Sequence, residues 1–460
     1  MSLDTTTLDQ TGENSGALTP VLSTTIPPKT FTATAHSATV KLNPLDVELS
    51  RLNKEYCFVR NPVGILYVPQ RELLRQQDFK LSVANSYAFD GNKKVQVGPR
   101  WLNWEERSEC TKLIYEPNLP SGLTDQIEGE GRIAVYNLYK PPAVKPEAGD
   151  IAPFNQLMWH IFRNDKAARK WFEQWLAYPL KYPGSKLYTA VVFWSVEEGA
   201  GKSLMGEIIA GLYGENAYEL SHNDLSGNFN EWLANRQLVV INEIASTGQR
   251  RDADFLKTII TRQYATINKK YQPIYVVRDC VNYIITSNHP DAIHMQEADR
   301  RFFVYEIKRK LPESVGEEIG RWKDSSKGKA ALLYYLQHEV SVEDFRPHGM
   351  APDTRAKREM IEANRSDVEV FVADQVENAN RGKIEPEIEI RALQSEFESC
   401  WNRKVSDHEL TTALKKYGAI NLGQKGIPGS GGKRGRFWLL TNKKEPELDE
   451  SDSTSEQQIS

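Results

Sequence analysis

The run YTAVVFW (Tyr188 to Trp194) leads directly into SVEEGAGKSLMGEIIAGLYG, and this junction constrains the chain more than any other feature. A stretch rich in β-branched and aromatic side chains predicts a strand buried on both faces. The glycines that follow prescribe a tight loop, and the next apolar residues recur at helical spacing until Gly214. A strand that turns through glycine into a helix aims free backbone N–H groups and the positive end of the helix dipole at one spot, an arrangement suited to phosphate. Lys202 adds a cation and Ser203 a hydroxyl able to ligate magnesium. Gly199, Ala200, Gly201, Lys202, Ser203 and Leu204 are therefore the candidate nucleotide-binding residues, with ATP and Mg2+ as the predicted ligands. The full pattern Gly-x-x-x-x-Gly-Lys-Ser would place glycine at Val196. Its loss is expected to change loop shape, because the backbone donors lie further on.

Two more apolar runs, LVVI (Leu238 to Ile241) and VNYIIT (Val281 to Thr286), alternate with helical stretches and predict an α/β core with a parallel sheet covered on both faces. Asn242 and Glu243 end the first of these runs. Glu243 is the predicted catalytic base, and Ser203, Asn242 and Glu243 are the predicted metal ligands. Asn288 ends YIITSN on the same edge, where its amide could orient the attacking water or sense a γ-phosphate; the alternative is an ordinary strand-end turn residue. HMQEADRRFFVYEI sets Arg300 and Arg301 ahead of a further apolar stretch, where a planar permanent cation can reach a phosphate. Arg301 is favoured for that role, supplied to a neighbouring subunit of a closed ring. The competing reading is a surface ion pair with Asp299.

Composition narrows the partners. A net charge of −4 excludes a globally basic coat, so contacts to DNA must come from local patches. The four cysteines show no metal-ligand spacing and are predicted to be reduced core thiols. No apolar window is long enough to span a membrane and no signal pattern opens the chain, which predicts a cytosolic protein. Residues 1–45 and 444–460 are predicted as disordered tails, the second one acidic. Between them the pattern divides into a mixed α+β domain with linker (46–150), a collar of one or two amphipathic helices stopping at Pro179 (151–186), the ATPase core (187–310), a helical lid (311–365) and a winged-helix DNA-binding unit (366–443).

Within the core, TINKKYQPIYVVRD predicts a hairpin, on which Lys269, Lys270 and Tyr271 combine phosphate-seeking ammonium groups with a ring able to stack on a base. Asp252 and Asp254 precede FLKTII and are expected to cap that helix. The C-terminal unit reads as three helices and a glycine-rich hairpin. Its third helix carries a capping box from Ser406 to Glu409, a core stripe of Leu410, Ala413, Leu414 and Tyr417, and a stop at Gly418. Lys415 and Lys416 on its other face, with Lys425, Lys433, Arg434 and Arg436 on the hairpin, are the predicted phosphate contacts. A partner-binding unit with solvated lysines is the alternative.

Five blocks in order, EEGAGKS, NFNEWLANRQLVVINE, FLKTIITRQYATINKKY, YIITSNHPDAI and EADRRFFVYEI, resemble the superfamily-3 helicases, in particular the phage and plasmid primase-associated group related to the poxvirus type. The resemblance covers roughly Leu52 to Asp367. It implies an AAA+-like P-loop core and a hexameric ring translocating 3′ to 5′ on single-stranded or forked DNA, in phage, plasmid or viral replication in a host cytoplasm. It implies Lys202 and Ser203 as Walker A, Glu243 as Walker B, Asn288 as sensor, Arg301 as finger, and a pore loop at Lys269 to Tyr271. Asn242 stands where many members carry an acid, which implies a weaker hold on magnesium. The primase half of the family is expected to be missing, leaving a primase or polymerase as a partner. Two other readings stay open: a DNA-remodelling, loading or packaging ATPase that does not unwind, and an ATP-ordered DNA-binding switch with little turnover.

Overall fold

The computed structural model describes residues 43–221, 225, 230–244, 250–270, 272 and 274–441. The tail predicted at 444–460, nearly all of the one predicted at 1–45, and Tyr271 lie outside these residues. Helix α1 (Pro44–Glu55) starts on an Asn43 side chain that accepts the Leu45 N–H, and it buries Leu45, Leu49 and Leu52 on one face. The chain continues through β1 (Tyr56–Asn61), β2 (Gly64–Tyr67), β3 (Glu72–Leu74), α2 (Gln76–Ser82), β4 (Tyr87–Asp90), β5 (Lys93–Gln96), α3 (Val97–Leu102), β6 (Glu109–Ile114), β7 (Gly122–Glu128) and β8 (Gly131–Asn137). Six of these strands form a mixed sheet in the order β3-β2-β1-β6-β8-β7, and β4 with β5 forms a separate hairpin.

Two helices, α4 (Ala152–Phe162) and α5 (Lys166–Lys181), precede the second sheet. Helix α5 runs through Pro179, which was expected to end it. The proline is buried close to the helix end, where one lost backbone bond costs little beside the packing of Leu176 and Leu180. The second sheet is built from β9 (Ala190–Trp194), β10 (Ala217–Ser221), β11 (Leu238–Asn242), β14 (Asn282–Ser287) and β15 (Phe302–Glu306), in the order β10-β11-β14-β9-β15. All five strands are parallel. Between β9 and β10 lies α6 (Lys202–Tyr213); between β11 and β14 lie α7 (Arg250–Thr261) and the antiparallel hairpin β12 (Tyr264–Ile267) to β13 (Tyr275–Arg278). Asp252 and Asp254 lie inside α7 instead of ahead of it: Asp252 is in the first turn, and Asp254 is exposed one turn from Lys257. Helix dipole and i,i+3 pairing, not capping, account for them.

Alternation along the parallel strands feeds two cores. Val192, Ile241, Ile285 and Val304 face a cluster that includes Cys57, Val59 and Leu113 of the first sheet, whereas Val191, Phe193, Val240, Ile284 and Phe303 face α4, α5 and α6. The N-terminal domain is thus welded to one face of the central sheet. Beyond β15 come α8 (Glu313–Asp324), α9 (Ser326–Tyr334) with a π-turn at Tyr335–Glu339, and α10 (Arg355–Ala363). The C-terminal unit comprises α11 (Asp367–Asn380), β16 (Glu387–Glu389), α12 (Ile390–Trp401), α13 (Asp407–Lys416), β17 (Ile420–Gly426) and β18 (Arg434–Leu439), with its strands antiparallel in the order β16-β18-β17. Capping boxes open α11 and α13, at Ser366 with Glu369 and at Ser406 with Glu409. Leu410, Ala413 and Leu414 are buried as the stripe requires. Cys57, Cys110 and Cys280 are core thiols, but Cys400 is exposed, because it stands on the outer side of the last turn of α12. Among the described residues no helix is long and apolar enough to cross a membrane.

Candidate active site

Strand β9 ends at Trp194, and the chain turns through Ser195 to Gly201 before entering α6. Gly199 and Gly201 have φ of 70° and 90°, a region that costs any residue with a Cβ, so glycine is required at both. Gly201 is the helix N-cap and no side chain caps it, which leaves the first N–H groups of α6 pointing outward. Lys202 is buried, and among the described residues its Nζ reaches only the carbonyls of Ser195 and Glu197, both at 3.4 Å. Burial lowers the Lys202 pKa, and the carboxylates of Glu198 and Glu243 act against that. Its ammonium is held by long, weak bonds and is free to exchange them for an anion. Val196, in place of the missing glycine, points into solvent.

These residues line a cavity of about 780 Å³. Glu198 to Leu204 form one wall, Glu243, Thr286, Ser287 and Asn288 form a second, and Lys310 to Glu313 with Gly316 and Glu317 form a third. The second wall comes from neighbouring strand ends. Glu243, with φ of 55°, follows β11, and its N–H donates to Thr286 Oγ1 at 3.2 Å. Left-handed backbone at a non-glycine residue is strained, and here it turns the carboxylate out of the sheet at the cavity rim. Asn288 makes no side-chain hydrogen bond among the described residues, so its amide is available to the cavity. Because β14 lies between β9 and β11, Asn288 sits between the glycine loop and Glu243, which are two strand spacings, roughly 10 Å, apart.

Asn242 is placed differently. It is absent from the cavity lining; its Nδ2 donates to Glu219 Oε2 at 3.4 Å and its Oδ1 accepts from Thr286 Oγ1 at 3.4 Å. Of the three predicted metal ligands, only Ser203 and Glu243 face the cavity. Their hydroxyl and carboxylate oxygens suit Mg2+, which keeps most of its shell as water and ligand oxygens. Sequence reasoning missed Thr286, Lys310, Leu311 and Pro312. The signal for Thr286 was a lone hydroxyl ending an apolar run. The post-β15 segment carried none, since only folding brings Leu311 N–H to within 2.9 Å of the Gly199 carbonyl and lays the Lys310 stem over Gly199.

Neither arginine belongs to this cavity. Phe302 pairs with Ala190, so Arg300 and Arg301 stand at the amino edge of the sheet, one strand length or roughly 16 Å from the loop. Arg301 is half-buried, 3.8 Å from Asp299, and Arg300 is exposed with no carboxylate partner among the described residues. The predicted hairpin is present, but it leans on the N-terminal domain: Arg278 pairs with Glu116 at 3.1 Å, and Gln272 bonds Glu72 at 3.2 Å. Lys269 is half-buried there, and burial lowers its pKa. Lys270 is exposed. The hairpin foot is fastened by Asp279, fully buried between Lys186 at 2.9 Å and Arg262 at 2.6 Å. In the C-terminal unit Lys416 pairs with Glu369, Arg436 with Asp407 and Lys425 with Glu387, while Arg434 bonds the Gln424 carbonyl. Lys415 and Lys433 are exposed without a carboxylate among the described residues.

Comparisons with known proteins bear on the fold and on a setting for it. Residues 193–301 match a family model described as a family of unknown function (DUF5906). A curated relative, the DNA primase-polymerase of Nitratiruptor phage NrS-1, is 29% identical over 206 residues, which is 43% of this chain and 28% of that protein. The match therefore spans less than a third of the relative's length. The apo structure of the NrS-1 C-terminal region has a TM-score of 0.61 at 19% identity, covering 87% of this chain and 99% of that one. A second apo structure of the same region, the A form, gives 0.60 at 19% identity over 86% and 99%. At that identity the likeness establishes the fold: a mixed α/β architecture with a parallel sheet, similar to the NrS-1 C-terminal region.

Proposed function

We propose that this chain is an ATP-driven motor of the superfamily-3 helicase type, acting as a ring, most simply a hexamer, on single-stranded and forked DNA in phage replication. The observation that carries the reading is the convergence, at the carboxyl edge of one parallel sheet, of an uncapped helix N-terminus, a desolvated lysine, a carboxylate and a free amide. Ligands of open parallel sheets bind at that edge. On this reading the α6 N–H groups and Lys202 hold the phosphates of ATP. Ser203 and Glu243 would hold Mg2+, which supplies charge neutralisation. Glu243 takes the proton of the attacking water and Asn288 orients that water. The similarity to a phage DNA primase-polymerase supports the replicative setting and a primase or polymerase as partner. The α11-β16-α12-α13-β17-β18 order supports a winged-helix unit, and the strand layout around β9 supports an AAA+-like core. Arg300 and Arg301, remote from their own cavity, suit delivery to a neighbouring subunit, and the exposed Arg300 has the freer guanidinium.

One observation favours a second reading. Asn242, neutral and tied to Glu219 and Thr286, withholds a ligand from the metal, as a nucleotide-ordered DNA-binding protein with little turnover would. Phosphate release stimulated by single-stranded DNA, abolished by Glu243→Gln and accompanied by fork unwinding, is the outcome expected of the motor. DNA binding that responds to ATP without turnover sinks it in favour of the switch. Turnover without unwinding points to a remodelling or packaging ATPase.

A further inference from the structure

The hairpin of β4 and β5 lies in the N-terminal domain and contributes no residue to the cavity lining or to the predicted DNA contacts. It pairs Tyr87 with Gln96, Ala88 with Val95, Phe89 with Lys94 and Asp90 with Lys93. Ala88 and Val95 turn inward onto a cluster containing Leu45, Leu49, Phe79 and Trp101. Strand alternation then sends Tyr87, Phe89, Lys94 and Gln96 to the other face. That face is open to solvent, with Tyr87 49% and Phe89 52% exposed. The two aromatic residues stand two positions apart on one strand, roughly 6.7 Å, room for each ring to carry a separate flat group. Lys94 crosses from the partner strand, with its ammonium 4.8 Å from the centre of the Tyr87 ring. By the same alternation Lys93 and Asp90, the one carboxylate of the hairpin, belong to the inner side, where Asp90 pairs with Arg100 at 3.5 Å.

Two rings and an ammonium group, with no carboxylate of the hairpin on the same face, make a surface with a specific chemistry. An apolar protein partner needs about 800 Å² on each side for a stable interface, far more than two half-exposed rings offer. A single-stranded nucleic acid needs only one ring per base, since every base has a π face, together with cations within reach of its phosphates. We infer that the outer face of the β4-β5 hairpin is a stacking platform for single-stranded DNA, with Tyr87 and Phe89 each carrying a base and Lys94 contacting the backbone. The platform does not depend on nucleotide hydrolysis and stands whether or not the cavity turns over ATP.

The test uses the full chain, without nucleotide, and fluorescence anisotropy with an oligodeoxythymidylate of about 16 nucleotides. Tyr87→Ala with Phe89→Ala is expected to weaken binding roughly tenfold or more, and Tyr87→Trp to retain it. Lys94→Ala is expected to flatten the salt dependence by about one phosphate contact. Ultraviolet crosslinking to a bromodeoxyuridine oligonucleotide should yield an adduct on the peptide carrying Tyr87 and Phe89. Binding of ATP analogues by these variants reads the cavity separately and should match the parental chain. Parental affinity in the aromatic double variant, crosslinks confined to other segments, a loss seen with RNA alone, or a parental chain that does not bind the oligonucleotide each overturns the assignment.

Discussion

The glycine loop and the C-terminal unit were each read as offering cations to phosphate, yet folding leaves Lys202 and several of the C-terminal cations in opposite states. In the cavity, Lys202 has no carboxylate within bonding distance among the described residues and holds two carbonyls at 3.4 Å, and no side chain of those residues caps α6. In the C-terminal unit Lys416 and Arg436 already sit on carboxylates at 2.8 Å and 3.0 Å. A cation enclosed by backbone cannot find a substitute partner, so its binding capacity survives folding. A cation on a surface containing as many acids as bases finds one at a cost near zero. Spacing within a strand-loop-helix unit is therefore a stronger predictor of an unpaired cation than charge on a helix face.

The largest effect that sharpens this contrast is on stability. Removing an enclosed charge should unfold the core region, so Asp279→Ala, which strands Lys186 and Arg262, is expected to cost about 3–5 kcal/mol in urea unfolding. A loss below about 1 kcal/mol would show that the enclosed charges are no better held than the surface ones. Next comes the cavity: Lys202→Ala should lower ATP turnover by about 10²–10³-fold while thermal stability is kept, and undiminished turnover would remove Lys202 from the site. A smaller effect is expected at Asn242. Asn242→Asp alone sets a second carboxylate against Glu219, so its gain in Mg2+ affinity should be slight; paired with Glu219→Gln it should reach about tenfold. An equal gain from the single change would mean that Glu219 does not oppose it. The smallest effects belong to the C-terminal surface. Lys415→Ala and Lys433→Ala should each reduce the salt slope of DNA binding by about one, and Lys416→Ala and Arg436→Ala by less. Equal slopes for all four would erase the distinction between paired and unpaired cations.

The strand-loop-helix unit, the capping box at Ser406 and the three interior strands were readable because each depends on residues within a few positions of one another. Strand β10 was not, since as an edge strand it is half solvated and lacks the continuous apolar run of its neighbours. Pro179 was misread as a stop because helix-breaking is a local propensity, and burial in the second core overrides it. Thr286, Lys310 and Leu311 went unseen for another reason. They reach the cavity from strands and turns some 80 to 110 residues past the loop, and no local pattern encodes that proximity.

Tyr87 and Phe89 give the same lesson from the other side. No local pattern in the sequence marks them, and only the packing of Ala88 and Val95 on the core turns both outward beside Lys94. By itself the sequence determined the local chemistry: a glycine loop feeding a helix, a lysine opening that helix, and an acid and an amide at strand ends. Only the tertiary structure decided which groups share a cavity, which cations are spent on carboxylates, and which rings face solvent. The physical reason is that φ, capping and strand period are set by neighbours in the chain, whereas burial and ion pairing are set by neighbours in space.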